Sequence, residues 1–209
     1  SISLAQQGTL FFNSFHNNRL LCMSLDEIIN PIYPLPADSL AKLKVIALEI
    51  SLPKNHILIK AGKVESKLFL IKKGIVRAFA TSEEHDITFW FGMEGDIAFS
   101  MKSFANRKPG YENIELLENS ELFQIDDNEL QKLFSEDIHI ANWGRKLFEN
   151  ELIKTEERHI SRQFKTALER YSELMENHKK LLQRVQLGHI ASFLGISQVS
   201  LSRIRAEIR

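Results

Sequence analysis

Residues 185–208 read VQLGHIASFLGISQVSLSRIRAEI, and few folds accommodate that pattern. With Leu187 as position 1, apolar residues fall at positions 4, 8, 10, 15 and 18, namely Ile190, Leu194, Ile196, Leu201 and Ile204. Ala191 stands at position 5, where two helices must approach closely. Gly195 stands at position 9, where a sharp turn needs a residue that tolerates positive φ. Ser197 follows as a helix N-cap, able to accept a bond from a free backbone N–H. The spacing predicts a helix-turn-helix, a unit that lays its second helix in a DNA major groove. An ordinary amphipathic hairpin needs the helical period but not Ala and Gly at these offsets.

The charge distribution points the same way. The chain has 209 residues and a formal net charge of zero. From Lys179 to Arg209, six basic residues (Lys179, Lys180, Arg184, Arg203, Arg205, Arg209) face one acid, Glu207, which leaves the other 178 residues at −5. A basic end on a neutral chain fits a DNA-reading module joined to one that does not read DNA, although a solvated charged face has the same composition.

Upstream of the motif the period changes. Residues 1–24 show little pattern and are expected to be an N-terminal extension. Their start lacks the basic region and long apolar core of a signal peptide. Residues 38–48 fit a short helix after Pro36. From Ile50 to Glu129 apolar runs alternate with Gly, Pro, Asn and Asp every 8–12 residues, as in HILIKAG, KLFLIKKG, VRAFATS, DITFWFG and ELFQID. That is the signature of an antiparallel sandwich or β-roll. Phe69, Phe79, Phe89, Trp90, Phe91 and Phe99 are expected to fill its core. From Asp137 to Ser161 a helical period runs through Ile140, Trp143, Leu147, Leu152, Ile153 and Ile160, with Gly144 inside it. A helix of that length exceeds what a small roll can cover, so it is expected to pair with its own copy in a dimer; packing on one domain as a plain connector is the alternative. A second amphipathic helix is expected over 164–177, followed by a basic connector, 179–184.

These parts, in this order, resemble the Crp/Fnr family of bacterial transcription regulators over roughly residues 25–209. The blocks that carry the resemblance are LIKAGKVESKLFLIKKGIVRAF, MEGDIAFSMKSF and RYSELMENHKKLLQRVQLGHIASFLGISQVSLSRIR. The resemblance implies an α+β chain: an N-terminal antiparallel β-roll of the double-stranded jelly-roll type, a long dimerisation helix, and a C-terminal winged helix-turn-helix. It implies a sensor domain over 25–136, a dimerisation helix over 137–161 and a DNA-binding domain over 162–209. The partners it implies are double-stranded DNA, a second copy of the chain and RNA polymerase.

Family members that bind cyclic nucleotides carry a Glu for the ribose and an Arg for the cyclic phosphate. Counting on from Gly95, those positions fall here near Ser100 and Gly110. The expected effector pocket is therefore Gly95, Ser100, Met101, Gly110 and Tyr111, without the arginine, and cyclic AMP is not expected to bind. Lys102, Arg107 and Lys108 are the nearby cations. On the second helix of the motif, the groove-facing positions hold Ser197, Gln198, Val199, Ser202, Arg203 and Ala206. Arg203 matches the two acceptors of guanine or binds a phosphate. Gln198 matches adenine, and Val199 a thymine methyl. Ser200 and Ser202 suit phosphates or the helix's own carbonyls.

Other chemistries find little support. Cys22 is the only cysteine, so no disulfide forms within the chain and a cysteine-held iron–sulfur cluster has no ligand set. The single thiol suggests a reducing, cytoplasmic setting, and no apolar run reaches membrane-spanning length. The seven histidines are scattered, and no catalytic motif appears. No cofactor, metal or enzymatic activity is expected. The alternative function is a signal receptor that acts through protein contacts with a degenerate helix-turn-helix.

Overall fold

The structure is a computed structural model that describes residues 22–83 and 85–208. The expected extension thus lies outside the described residues up to position 21. Met23 and Ser24 already belong to the folded body. The Met23 N–H donates to the Lys72 carbonyl at 2.9 Å, and Ser24 caps the first helix, α1 (Leu25–Ile29), in a capping box with Glu27. Helix α2 (Ala37–Ile46) follows Pro36.

Eight strands then wind into a jelly roll: β1 (Leu48–Leu52), β2 (Ile57–Ile59), β3 (Lys67–Lys73), β4 (Val76–Thr81), β5 (Asp86–Gly92), β6 (Ile97–Ala98), β7 (Asn113–Leu116) and β8 (Ser120–Asp126). Every pairing is antiparallel, and the two sheets run β1-β8-β3-β6 and β2-β7-β4-β5. This interleaving is that of two Greek keys, and it is what the glycine-punctuated alternation predicts. Between β6 and β7 sits a short helix, α3 (Met101–Asn106). Helix α4 (Asp127–Glu136) and the long helix α5 (Ile138–Phe164) follow the roll.

Side chains leave each strand alternately, so each sheet feeds two cores. Phe69, Ile71 and Leu122 point between the sheets, with Val76, Ala78, Ile114 and Leu116. Leu68, Leu70, Phe123 and Ile125 point to the outer face of the first sheet, where α1, α2, α4 and α5 cover them with Ile28, Leu43, Leu130, Trp143 and Leu147. Gly144 explains how α4 and α5 come so close: a Cβ there would overlap the ring of Phe134 at 2.5 Å.

The outer face of the second sheet is covered by the C-terminal module: α6 (Ala167–Asn177), α7 (Lys179–Arg184), α8 (Leu187–Leu194) and α9 (Gln198–Glu207). Ile75, Phe91, Met93 and Leu117 of the roll share one core with Tyr171, Leu174, Leu181, Ile190 and Leu201. The fold is therefore helices, sheet, sheet, helices.

Three expectations change in detail. The long helix continues past Ser161 to Phe164 and ends at Lys165, where Thr166 and Glu169 form a capping box that starts α6. Phe164 belongs to α5, not to the helix after it. The basic connector is itself helical, as α7. The C-terminal module carries a helix-turn-helix without a β-wing among its described residues, since no described strand follows Asp126.

Candidate DNA-reading surface and effector cassette

The helix-turn-helix is α8, its turn and α9. Gly195 takes φ +68°, its N–H donates to the Ser192 carbonyl at 3.1 Å, and the Ile196 N–H reaches the Ala191 carbonyl at 3.0 Å. Ile190, Ala191, Leu194 and Leu201 are buried, and Ile196 and Ile204 pack against them. Ser197 caps α9 by accepting the Ser200 N–H at 3.1 Å, and its hydroxyl lies 3.0 Å from that of Ser200.

The apolar residues of α9 thus turn to the core, and the opposite face meets solvent. Gln198, Val199 (62 % exposed), Ser202, Arg203 and Ala206 are all exposed on it, with Ser197 at its N-terminal edge. Ser200 is half-buried and tied to the cap. The Gln198 amide lies across Gly188 of α8, where a Cβ would collide with it.

The roll holds this module by polar groups as well as apolar ones. β5 is the edge of its sheet. The Ser192 hydroxyl on α8 accepts the Thr88 N–H at 2.9 Å and donates to the Asp86 carbonyl at 2.8 Å, so one side chain satisfies the edge as a neighbouring strand would. Phe193 packs on Phe91 with ring centres 5.2 Å apart. Arg162 donates to the carbonyls of Thr88 and Phe193, and Arg170 to that of Leu194. Both guanidiniums meet the C-terminal carbonyls of α8, where positive charge is favoured.

Arg184, counted above in the basic C-terminal end, is committed to the roll. It donates to both carboxylate oxygens of Glu94, at 3.0 and 2.7 Å, and to Glu118. Burial alone would raise the Glu94 carboxyl; the bonds from Arg184 and the Gly74 N–H outweigh it and hold it below its ordinary value. Beneath α8, Arg77 is buried between Thr88, Glu115 and Asp86 and stacks on Phe79. Desolvation, with Arg77 nearby, pushes the His189 imidazole below its ordinary value.

The expected effector pocket is brought together only in part. Ser100 is buried and caps α3 by accepting the Ser103 N–H at 3.4 Å. Gly110 lies directly against it: a Cβ on Gly110 would sit 2.5 Å from Ser100 Oγ and 2.7 Å from Glu112 Oε1. Met101 and Tyr111 are exposed at its rim, the Tyr111 ring 5.9 Å from Phe89. Gly95 faces Met23 instead, because it serves the β5–β6 turn at φ +95°.

The nearby cations do not replace the missing arginine. Arg107 turns to Asp127 and Asn128 on α4, while Lys102 and Lys108 are exposed. Sequence reasoning passed over Glu112, which is only 6 % exposed and whose Oε1 has no hydrogen-bond partner. No spacing signal marks it. Cys22 also acquires a neighbour invisible in sequence, since its thiol donates to Glu121 at 3.5 Å.

Residues 49–137 match the family described as the cyclic nucleotide-binding domain. Searching curated proteins by sequence gives no significant match. Among solved structures, FixK2 from Bradyrhizobium japonicum is similar with a TM-score of 0.69 at 18 % identity, over 78 % of this chain and 84 % of that one. The regulator CLP of Xanthomonas campestris, described as c-di-GMP responsive, gives 0.67 at 15 %, over 83 % and 91 %. The catabolite activator protein of Thermus thermophilus gives 0.54 at 17 %, over 85 % of each chain. The chain therefore has the fold of the Crp/Fnr regulators, roll and helix-turn-helix together. Two of these are named for regulation, CLP as a global regulator and the Thermus protein as a catabolite activator. Among the described residues, no helix is long and apolar enough to cross a membrane.

Proposed function

We propose that this chain is a DNA-binding transcription regulator of the Crp/Fnr type. It acts as a homodimer on a pseudo-palindromic site and works without cyclic AMP. The observation that carries the reading is the division of α9: Leu201 and Ile204 hold it to the core while Gln198, Val199, Ser202 and Arg203 stand in solvent, on the face a groove would meet. The dimer is supported by α5, on which Leu152, Ile153 and Ile160 are 62, 52 and 54 % exposed. Ile153 and Ile160 are one heptad apart, the spacing of a helix-pairing seam. Such a dimer sets two recognition helices ~34 Å apart, one turn of duplex. Gene control by this route takes place in the cytoplasm and involves contact with RNA polymerase.

Independence from cyclic AMP is supported by the cassette, which sets the Glu112 carboxylate where a phosphate would need a cation. Selection of bound genomic fragments by the full chain tests the reading. A recovered two-fold motif is the expected result. A monomer that ignores duplex DNA at low salt refutes it and favours a receptor acting through protein contacts. Calorimetry with cyclic AMP is expected to show no binding; micromolar affinity would overturn that part.

A further inference from the structure

We propose that Val199 is the central base reader of α9 and that it selects a pyrimidine C5-methyl group, so that each half-site carries a thymine methyl opposite it. This rests on the reading of α9 as a recognition helix and adds the base chemistry it selects. Val199, Ser202, Arg203 and Ala206 are exposed at the i, i+3, i+4, i+7 spacing of one helix face. Leu201 and Ile204 hold the other side of the helix to the core. At about 100° per residue, Val199 points almost directly away from the mean direction of that pair. It therefore stands at the middle of the solvent face, in the first turn of the helix, 62 % exposed.

Its neighbours in that turn are drawn aside. Ser200 is half-buried, its N–H donates to the Ser197 hydroxyl at 3.1 Å, and the two hydroxyls lie 3.0 Å apart, so both serve the cap. The Gln198 amide lies back over α8, in the space that a Cβ on Gly188 would need. The first turn thus presents one side chain squarely to a groove, and that side chain is apolar. Val199 neither donates nor accepts, so it has no means of telling one polar base edge from another. Thymine alone among the four bases shows a methyl in the major groove. Covering that methyl removes apolar surface of both partners from water, whereas covering a polar edge atom strips it of water without replacing the bond. A β-branched side chain in a helix is also confined to one rotamer, so contact costs it little freedom. Hydrogen-bonded readout is left to the next turn, where Arg203 stands on the same face.

The test uses the full chain and the two-fold site recovered by selection of bound fragments. Deoxyuridine replaces each thymine in turn, which deletes the methyl and keeps the hydrogen-bonding edge. At one symmetry-related pair of positions, affinity is expected to fall about 4-fold per half-site in gel shift, the scale of one buried methyl or methylene group. At those positions 5-methylcytosine is expected to bind tighter than cytosine by a similar factor, since the methyl is the same and the polar edge is not. In Val199→Ser both differences are expected to vanish, with the melting temperature within error of the parent's because the side chain is exposed. In Arg203→Ala both are expected to persist. Binding that is indifferent to uracil at every thymine, or a methyl effect undiminished in Val199→Ser, overturns the proposal and leaves the DNA-binding reading intact. A chain that ignores duplex DNA altogether overturns both.

Discussion

Arg203 projects from the solvent face of α9, and its own helix does not depend on it for packing. Arg203→Ala should therefore leave the melting temperature within error and cost about 1–3 kcal/mol of DNA affinity, with relaxed preference at one base pair, as read by gel shift on systematically varied sites. Gly195 is the opposite case. Nothing crowds a Cβ there, yet its φ of +68° strains any L side chain. Gly195→Ala should cost about 1 kcal/mol through the backbone alone, visible in denaturant unfolding. Asp137 does three things at once. It caps α5 through the His139 and Ile140 N–H groups, accepts the Ser39 hydroxyl and pairs with Lys42 at 2.7 Å. The Lys42 bond chiefly, with Ser39 and the two amides, holds its carboxyl at about 2. A folded-state value below the unfolded one gives stability that is whole above the ordinary aspartate range near 4 and fades as pH falls toward 2. Asp137→Ala should remove about 2 kcal/mol at neutral pH and flatten that acid limb, measured by unfolding across pH.

At the scale of elements, a few polar groups join the roll to the helix-turn-helix beside their shared apolar core. Ser192 satisfies both an N–H and a carbonyl of the β5 edge, and Arg184 ties α7 to the β5–β6 turn through Glu94. That turn leads through Gly95 and Asp96 into β6. Ser192→Ala should leave the Thr88 amide without its acceptor and speed its hydrogen exchange by about 10-fold, corresponding to about 1.4 kcal/mol of local protection. The Thr166–Glu169 capping box sets the break between α5 and α6, whereas the hydrophobic period in the sequence ran across it through Phe164. Phe164 turns out to be 80 % exposed. Periodicity places a residue on a helix face and does not say whether anything covers that face.

The whole molecule joins three cores in one chain, with α5 running beside them and carrying exposed Leu152, Ile153 and Ile160. If this stripe is the dimer seam, Ile160→Glu should leave the fold of the single chain within about 0.5 kcal/mol, as surface changes do. Sedimentation should then show the dimer lost. Affinity for a two-fold site should drop to that of one half-site, since the second helix no longer binds intramolecularly.

The sequence determined what depends on neighbours along the chain. Alternation with turn residues specified the roll, the 3.6-residue period specified the long helix, and Ala191, Gly195 and Ser197 specified the helix-turn-helix, because each is a local rule of backbone geometry. The reading face of α9 was legible for the same reason: its residues face outward because Leu201 and Ile204 face in. Contacts between distant segments were decided only by the tertiary structure. Ser192 meets β5 across 104 residues, Arg184 meets Glu94 across 90, and Arg107 turns from the cassette to Asp127. The unpartnered oxygen of Glu112 belongs to the same group. Nothing in its sequence neighbourhood marks it, since burial and the absence of a donor are properties of the packed chain, set once the strands bring Ser100, Gly110 and Glu112 to one place.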